Sequence, residues 1–91
     1  MEETSTTPLA KCANLKTLHL NENRITQLAP LANLRKLETL NLWSNQITTL
    51  VALTQLTQLR SLALNGNRIT DLRPLAGLRQ LKSLDLSQNK L

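Results

Sequence analysis

The amino-acid sequence predicts an α/β-type repeat solenoid, in which each repeat contributes one short strand to a single parallel β-sheet. Three observations support this prediction. The 91-residue chain has an internal repeat, its leucines and isoleucines recur at fixed positions of that repeat, and apolar residues alternate with others inside each unit. A period of about 20 to 50 residues indicates stacked units, because each unit buries its apolar side only against its neighbours.

The repeat has a length of 22 residues and the signature L-x-x-L-x-L-x-x-N-x-I/L. Its four copies are LKTLHLNENRI at 15–25, LETLNLWSNQI at 37–47, LRSLALNGNRI at 59–69 and LKSLDLSQNKL at 81–91. We therefore expect a disordered tail at residues 1–6. The repeat domain is predicted at 7–91, divided into a partial unit at 7–14, repeats at 15–36, 37–58 and 59–80, and a partial unit at 81–91.

The first half of each unit predicts a strand. In TLHLN, TLNLW, SLALN and SLDLS, apolar residues alternate with others at period two, as expected for a short strand with one buried face. Strands one repeat apart are expected to run parallel and to stack into one sheet.

The second half of each unit predicts short 3₁₀ turns. Leu28, Leu31 and Leu34 have near-helical spacing, and the same spacing returns one and two repeats later. Pro30 and Pro74 disfavour a long α-helix, because proline lacks an N–H group and collides with the preceding helical turn. Short 3₁₀ turns accommodate such positions better.

Cys12 falls in the column of Leu34 when the repeat is shifted back by one period. This position predicts a small buried hydrophobe rather than a reactive thiol. As the only cysteine, it also excludes an internal disulfide and a cysteine-based zinc site.

Charge and hydropathy exclude two classes of partner. Eleven Lys and Arg residues against six Asp and Glu residues give a net charge of +5, which permits an acidic partner. Basic blocks such as Arg35-Lys36 are short and have no aromatic residues between them, so we expect no nucleic-acid binding. No apolar run approaches about 18 residues, so we expect no membrane insertion.

The quoted signatures resemble leucine-rich repeat proteins of the short 22-residue class, over about residues 8–91. They are similar to the repeats of bacterial internalins and of phosphatase regulators, and ITQLAPLANL and ITDLRPLAGL are the more internalin-like stretches. The resemblance implies a parallel sheet on the concave face, short 3₁₀ or irregular turns on the convex face, and a partner bound by the concave face.

The strand residues that do not face the core predict a partner-binding surface. They are Thr17, His19, Asn21, Thr39, Asn41, Trp43, Ser61, Ala63, Asn65, Ser83, Asp85 and Ser87, with Glu22, Ser44, Gly66 and Gln88 at adjacent turns. Trp43 is the only aromatic residue of the chain. Alternation directs its ring outward beside small neighbours, where tryptophan has the character of a binding hot spot.

Two further sets of polar residues recur at fixed positions of the repeat. The recurring asparagines are predicted to satisfy backbone groups at the turn after each strand, and they are Asn23, Asn45, Asn67 and Asn89. Arg24 and Arg68 share one offset beside these asparagines, where they would orient an acidic partner at the rim. The alternative for both arginines is a solvated rim without a binding role.

Catalysis has little support in the sequence. His19 is the only histidine, and Asp85 lies three repeats away, which corresponds to roughly 14 Å across a sheet. This separation is too large for a general-base pair. Without a glycine-rich phosphate loop or a cluster of metal ligands, we expect no enzymatic activity, no cofactor and no metal.

The sequence thus predicts a non-catalytic module that binds a protein through its concave face. The alternative is a structural spacer or scaffold within a larger repeat protein. A cytoplasmic location is favoured for the chain as given, and a secreted or surface location if it is part of a longer internalin-like protein. The flanking caps of the family have no counterpart, so we expect either further repeats or marginal stability with self-association through the uncapped repeat ends.

Overall fold

The computed structural model describes residues 12–91, which form β-strands and 3₁₀ turns in alternation. The strands are β1 (Thr17–His19), β2 (Thr39–Asn41), β3 (Ser61–Ala63) and β4 (Ser83–Asp85). The turns are Ala29–Leu31, Val51–Leu53 and Arg73–Leu75. The predicted tail at 1–6 and residues 7–11 of the first partial unit lie outside the described residues. Among residues 12–91, no helix is long and apolar enough to cross a membrane.

The four strands form one parallel sheet in the order β1-β2-β3-β4. Each residue pairs with the residue one repeat later, so that Thr17 lies opposite Thr39, and Thr39 lies opposite Ser61. The predicted repeat solenoid with its parallel sheet and 3₁₀ turns is confirmed. Among residues 12–91 the sheet is open, with β1 and β4 as its two edges.

Hydrogen bonding between neighbouring units continues beyond the three residues of each strand. The Leu20 N–H donates to the Asn41 carbonyl at 2.8 Å, and the Glu22 N–H donates to the Trp43 carbonyl at 2.9 Å. Equivalent bonds join the second unit to the third and the third to the fourth. The outward-facing residues after each strand are therefore held in the same register as the strands.

The second half of each unit is a chain of three-residue turns connected through leucines. The Leu31 N–H donates to the Leu28 carbonyl at 2.8 Å, Leu34 donates to Leu31 at 3.0 Å, and Leu37 donates to Leu34 at 3.1 Å. Three residues per turn align the side chains of residues i and i+3. All four leucines consequently lie on one side of the chain, and all four are buried. The period of three in the sequence thus matches the turn geometry.

The core consists of stacked columns of leucine and isoleucine, and a side chain is most deeply buried when a unit packs on each side of it. In one such column Leu40 is 0% exposed and Leu62 is 1% exposed, whereas Leu84 of the last unit is 43% exposed. Burying one such side chain completely stabilises the fold by about 1.5–3 kcal/mol. The middle units therefore contribute most of the apolar stabilisation among the described residues.

A buried asparagine joins each unit to the one before it. The Ile25 N–H donates to Oδ1 of Asn45 at 3.0 Å, and Nδ2 of Asn45 donates to the carbonyls of Leu20 at 3.0 Å and Leu42 at 2.9 Å. Asn67 repeats this pattern one unit later. One asparagine side chain therefore pairs with a backbone N–H and a carbonyl of the preceding unit. It also pairs with a carbonyl of its own unit.

In each unit, the residue directly before the recurring asparagine takes a left-handed backbone conformation. The φ angles are 60° at Glu22, 56° at Ser44, 72° at Gly66 and 56° at Gln88. Glycine adopts this conformation without steric cost, while the other three residues are strained by comparison. The repeated positive φ turns the chain away from the sheet and directs the following asparagine inward.

Cys12 corrects one sequence-based prediction, because its side chain is exposed rather than buried. Leu34 and Leu56, which occupy the same position of the next two units, are both 0% exposed. Cys12 is the first described residue, so no described unit packs on its outer side. The assignment to the leucine column was correct in register and wrong about burial.

The asparagine bonds lead to a stability prediction for Asn67→Ala, with Asn23→Ala as its matched control. Replacing Asn67 leaves the buried Ile47 N–H without a partner and removes one of two side-chain donors from each of the Leu42 and Leu64 carbonyls, so the free energy of unfolding should fall by about 1–3 kcal/mol. Asn23 donates to the Leu20 and Asn21 carbonyls of its own unit, and its Oδ1 atom has no partner among residues 12–91.

Urea denaturation of both variants at high dilution measures the difference. We expect a clearly smaller loss for Asn23→Ala than for Asn67→Ala. Equal losses would show that the side-chain bonds between units contribute nothing beyond the turn itself.

Candidate functional site

The candidate site is the outward side of the sheet, here called the sheet face, and its residues form three rows across the strands. The first row is Thr17, Thr39, Ser61 and Ser83, and the second is His19, Asn41, Ala63 and Asp85. The third row, held by the continued backbone bonds, is Asn21, Trp43, Asn65 and Ser87. Neighbours within a row are about 4.8 Å apart along the backbone. The structure therefore places all the predicted face residues side by side.

Trp43 lies in the third row between Asn21 and Asn65. Its carbonyl accepts the Glu22 N–H at 2.9 Å, which fixes its backbone in the ladder. The sequence predicted an exposed ring, but Trp43 is half-buried. An aromatic side chain that is already partly held by its surroundings loses less conformational entropy when a partner covers the rest.

His19 and Asn41 form a hydrogen-bonded pair in the second row. Nδ2 of Asn41 lies 2.8 Å from Nδ1 of His19. The amide nitrogen is the donor in this pair, and Nδ1 of the histidine is the acceptor. The sequence analysis grouped the two residues on one face and missed their bond, although their separation of one repeat was the signal for it.

Asp85 and Ser87 form a second polar pair, on β4 and just after it. The Ser87 hydroxyl donates to Oδ1 of Asp85 at 2.7 Å, and the Ser87 N–H donates to the same atom at 3.0 Å. These two bonds, the hydroxyl first, lower the pKa of Asp85 below its ordinary value. The carboxylate is therefore charged at neutral pH.

The arrangement gives no geometry for acid–base catalysis between His19 and Asp85. They lie on β1 and β4, the two outer strands of the sheet. Within the described part of the chain, no three histidine, cysteine, aspartate or glutamate side chains gather at one potential metal site. What the sheet face offers is hydrogen-bonding groups and one aromatic ring, which are the means of recognising another surface.

Two lines of mostly basic residues flank the sheet face. The entry edge, just before the strands, consists of Lys16, Glu38, Arg60 and Lys82. The exit edge, just after the asparagines, consists of Arg24, Gln46, Arg68 and Lys90.

Backbone bonds between units align both edges. At the entry edge, the Lys16 carbonyl accepts the Glu38 N–H at 2.8 Å, and the pattern recurs in the next units. At the exit edge, the Arg68 N–H donates to the Ile47 carbonyl at 2.9 Å, and the Lys90 N–H donates to the Ile69 carbonyl at 3.0 Å.

The exit edge contains Arg24 and Arg68, the two arginines that the sequence pattern had already singled out. The sequence analysis named Arg24 and Arg68 and missed Lys90, Lys16 and Arg60, although the common repeat offset would have identified them. Within residues 12–91 the only ion pair joins Arg73 to Asp71, at 2.8 Å. Its hydrogen bonds hold the pKa of Asp71 at about 2. None of the basic residues on the two edges is therefore neutralised by an ion pair among the described residues.

Comparison with known proteins identifies the repeat. The family model described as Leucine Rich repeats (2 copies) matches the chain at residues 13–56, 35–77 and 57–91. No curated protein matches the chain.

Solved structures with the same arrangement include proteins of Listeria monocytogenes and Leptospira interrogans. Internalin C2 of Listeria monocytogenes is similar with a TM-score of 0.95 and 40% identity over 96% of this chain. The internalin inlF of the same organism has a TM-score of 0.94 and 42% identity over 96% of this chain. A leucine-rich repeat protein of Leptospira interrogans has a TM-score of 0.85 and 41% identity over 91% of this chain.

These relatives are longer proteins. The chain spans 38% of internalin C2, 26% of inlF and 22% of the Leptospira protein. The similarity therefore concerns a block of repeats within each of them.

The Asp85–Ser87 pair leads to a titration prediction. In Ser87→Ala the carboxylate loses its hydroxyl donor, so the pKa of Asp85 should rise toward its ordinary value of 3.8. A depressed pKa in the folded state stabilises the fold above the unfolded-state pKa, and this contribution is lost as the pH falls through the folded value. The substitution should therefore reduce the loss of stability on acidification.

The midpoint is measured from the carboxyl carbon shift of Asp85 in an NMR titration. Ser83→Ala is the matched control, since Ser83 is an exposed serine on the same strand. An unchanged midpoint in Ser87→Ala would contradict the assigned role of the hydroxyl.

Proposed function

The chain belongs to the leucine-rich repeat family, and on this premise we propose that it is a non-catalytic module that binds a protein partner through its sheet face. Proteins of this family are generally interaction modules without catalytic activity. In this chain, the proposal is supported by twelve outward side chains held in three straight rows by backbone hydrogen bonds. A surface of this regularity needs no rearrangement before it meets a partner.

The observation that carries the proposal is the position of Trp43. The one aromatic residue of the chain lies in the sheet, half-buried, in a row with Asn21 and Asn65. Elsewhere on the sheet face the side chains are smaller and mostly polar. A tryptophan surrounded by smaller polar residues resembles the centre of an interface, where one large side chain supplies most of the binding energy.

The basic edges favour a partner with an acidic surface. Arg24, Arg68 and Lys90 lie on the exit edge, and Lys16, Arg60 and Lys82 lie on the entry edge. All six are exposed. Arginine in particular binds carboxylates through two parallel hydrogen bonds. We therefore place the acidic groups of the partner along these edges, with its apolar contact over Trp43.

The alternative function is a structural spacer within a larger repeat protein. It is favoured by one observation, namely that the chain spans only 22–38% of the longer proteins described above. A spacer would tolerate substitutions on the sheet face without loss of function, which separates it from the binding module.

The first binding prediction concerns Trp43→Ala. The immobilised chain is used to capture a partner from source lysate or surface extract, and the captured protein is then titrated against each variant. If Trp43 is the central contact, its removal should weaken binding by about 30-fold or more, which corresponds to about 2 kcal/mol. Calorimetry or surface plasmon resonance measures the change in Kd.

The matched control for this experiment is Val51→Ala. Val51 is 64% exposed and belongs to the second 3₁₀ turn, so its truncation also removes an exposed apolar side chain. Binding should be unchanged in this variant, and circular dichroism should show that both variants are folded. If the wild type and Trp43→Ala bind the partner with equal affinity, binding through the sheet face loses its support and the structural spacer is favoured.

The second binding prediction concerns the double variant Arg24→Gln/Arg68→Gln. Charges at the rim of an interface mainly accelerate association and make it sensitive to salt. The association rate should fall, and its dependence on ionic strength should become shallower, with a smaller effect on dissociation. Arg73→Gln is the control, because Arg73 is paired with Asp71 in the third 3₁₀ turn. A salt dependence identical to that of the wild type would exclude an acidic contact at the exit edge.

A further inference from the structure

The outward residues just before the strands form a basic surface beside the sheet face. They belong to the last three-residue turn of a unit and to the entry edge. We call them the entry surface, which consists of Lys16, Arg35, Lys36, Glu38, Arg60, Arg79 and Lys82. Six cations and one carboxylate give this surface a net charge of +5, which equals the net charge of the whole chain. The other five cations and five carboxylates cancel, so the entry surface accounts for the excess positive charge.

Buried leucines on either side direct the cations of the turn outward. Arg35 and Lys36 lie between Leu34 and Leu37, which are both 0% exposed, and the Leu37 N–H donates to the Leu34 carbonyl at 3.1 Å. Arg79 occupies the position of Arg35 two units later. All six cations of the entry surface are exposed, so their charged groups are open to a ligand.

Neighbouring cations of the entry surface repel each other without a compensating acid. Arg60 and Lys82 are adjacent along the entry edge, because the Lys82 N–H donates to the Arg60 carbonyl at 2.8 Å. Like charges in directly neighbouring positions of a sheet are destabilising. Within residues 12–91 the only ion pair is that of Arg73 with Asp71, so no described carboxylate pairs with Arg60 or Lys82. An anionic group bound between these two cations would relieve their repulsion.

Glu38 restricts which anions fit this surface. It lies next to Arg60 in the entry edge, because the Arg60 N–H donates to the Glu38 carbonyl at 2.8 Å. A polymer with a charge on every monomer, such as a nucleic acid, would bring a negative group against this carboxylate. Repulsion of this kind gives specificity, because it penalises the wrong partner. Bases would also find no aromatic side chain to stack on, since Trp43 lies in the third row of the sheet face.

The separation of the arginines favours an extended peptide whose carboxylates are spaced apart. Arg35 and Arg79 are two units apart with Thr57 between them, which corresponds to roughly 10 Å across the sheet. In a polyproline II segment, residues i and i+3 lie on the same side and about 9 Å apart. Carboxylates at every third residue therefore match the two arginines, and neutral residues pass Thr57. Arginine binds such carboxylates through two parallel hydrogen bonds.

We propose, resting on the proposed function of a protein-binding module, that the entry surface docks an extended acidic segment of the partner with a carboxylate at about every third residue. The segment runs along the stack of units. Its carboxylates bind at Arg35 and Arg79 and beside the Arg60–Lys82 pair, and its neutral residues face Glu38.

Fluorescence anisotropy with two labelled peptides tests the proposal on the full chain. The spaced peptide repeats Glu-Pro-Pro, and the clustered peptide has the same length and composition with all its glutamates consecutive. The wild type should bind the spaced peptide about threefold or more tightly than the clustered one. A single-stranded oligonucleotide of equal charge should bind more weakly than the spaced peptide. Equal or tighter binding of either dense probe would overturn the proposal.

The double variant Arg35→Gln/Arg79→Gln should weaken binding of the spaced peptide by about fivefold or more, since it removes two exposed ion pairs with the ligand. Arg24→Gln/Arg68→Gln is the matched control, because it removes two arginines with the same two-unit separation from the exit edge. Its effect should stay below about twofold. Circular dichroism shows whether both variants are folded. Equal effects of the two arginine pairs would overturn the proposal, since the peptide would then respond only to the overall charge.

Glu38→Gln tests the selectivity directly. Removing this carboxylate should raise the affinity for the clustered peptide and thereby narrow the difference between the two peptides. An unchanged difference would contradict the role assigned to Glu38.

Trp43→Ala separates this proposal from the proposed function. The variant should bind the spaced peptide as the wild type does. A loss of peptide affinity would place the peptide on the sheet face and overturn docking at the entry surface. Such a result would leave the Trp43 test with the captured partner unaffected, whereas a partner that ignores Trp43 would contradict binding through the sheet face alone.

Discussion

The asparagine side chain that links each unit to its predecessor is the interaction on which the rest of the structure depends. Asn45 accepts the Ile25 N–H and donates to carbonyls in two successive units, and Asn67 does the same one repeat later. These bonds permit only one register between neighbouring units. A slip of one residue would leave buried donors and acceptors unpaired, which costs about 1–3 kcal/mol for each group. The straight rows of the sheet face follow from this register.

The fixed register separates the residues that hold the fold from those that are free to determine recognition. Leucines at every third residue fill one side of the 3₁₀ turns, and alternate leucines fill the inner side of the strands. The outward strand positions take no part in this packing. They therefore accommodate histidine, asparagine, tryptophan, alanine or aspartate without disturbing the core, and this variation gives a repetitive scaffold a specific surface.

The first and last units show that equivalent sequence does not ensure equivalent burial. Leu84 follows the same pattern as Leu40 and Leu62, yet it is 43% exposed, because no described unit packs on its outer side. Asn23 occupies the same position as Asn45, and within the described part of the chain its Oδ1 atom has no hydrogen-bond partner. In a stacked array each unit supplies half of an interface.

The sequence by itself determined the repeat length, the strands, the 3₁₀ turns and the three rows of the sheet face, because these follow from the spacing of residues along the chain. It did not determine that Trp43 is half-buried, that Cys12 is exposed, or that His19 bonds to Asn41. The physical reason is that a periodic pattern specifies which side of its own unit a residue faces. Exposure and side-chain pairing depend on the neighbouring units and on the rotamers that their side chains allow, and only the tertiary structure decides those.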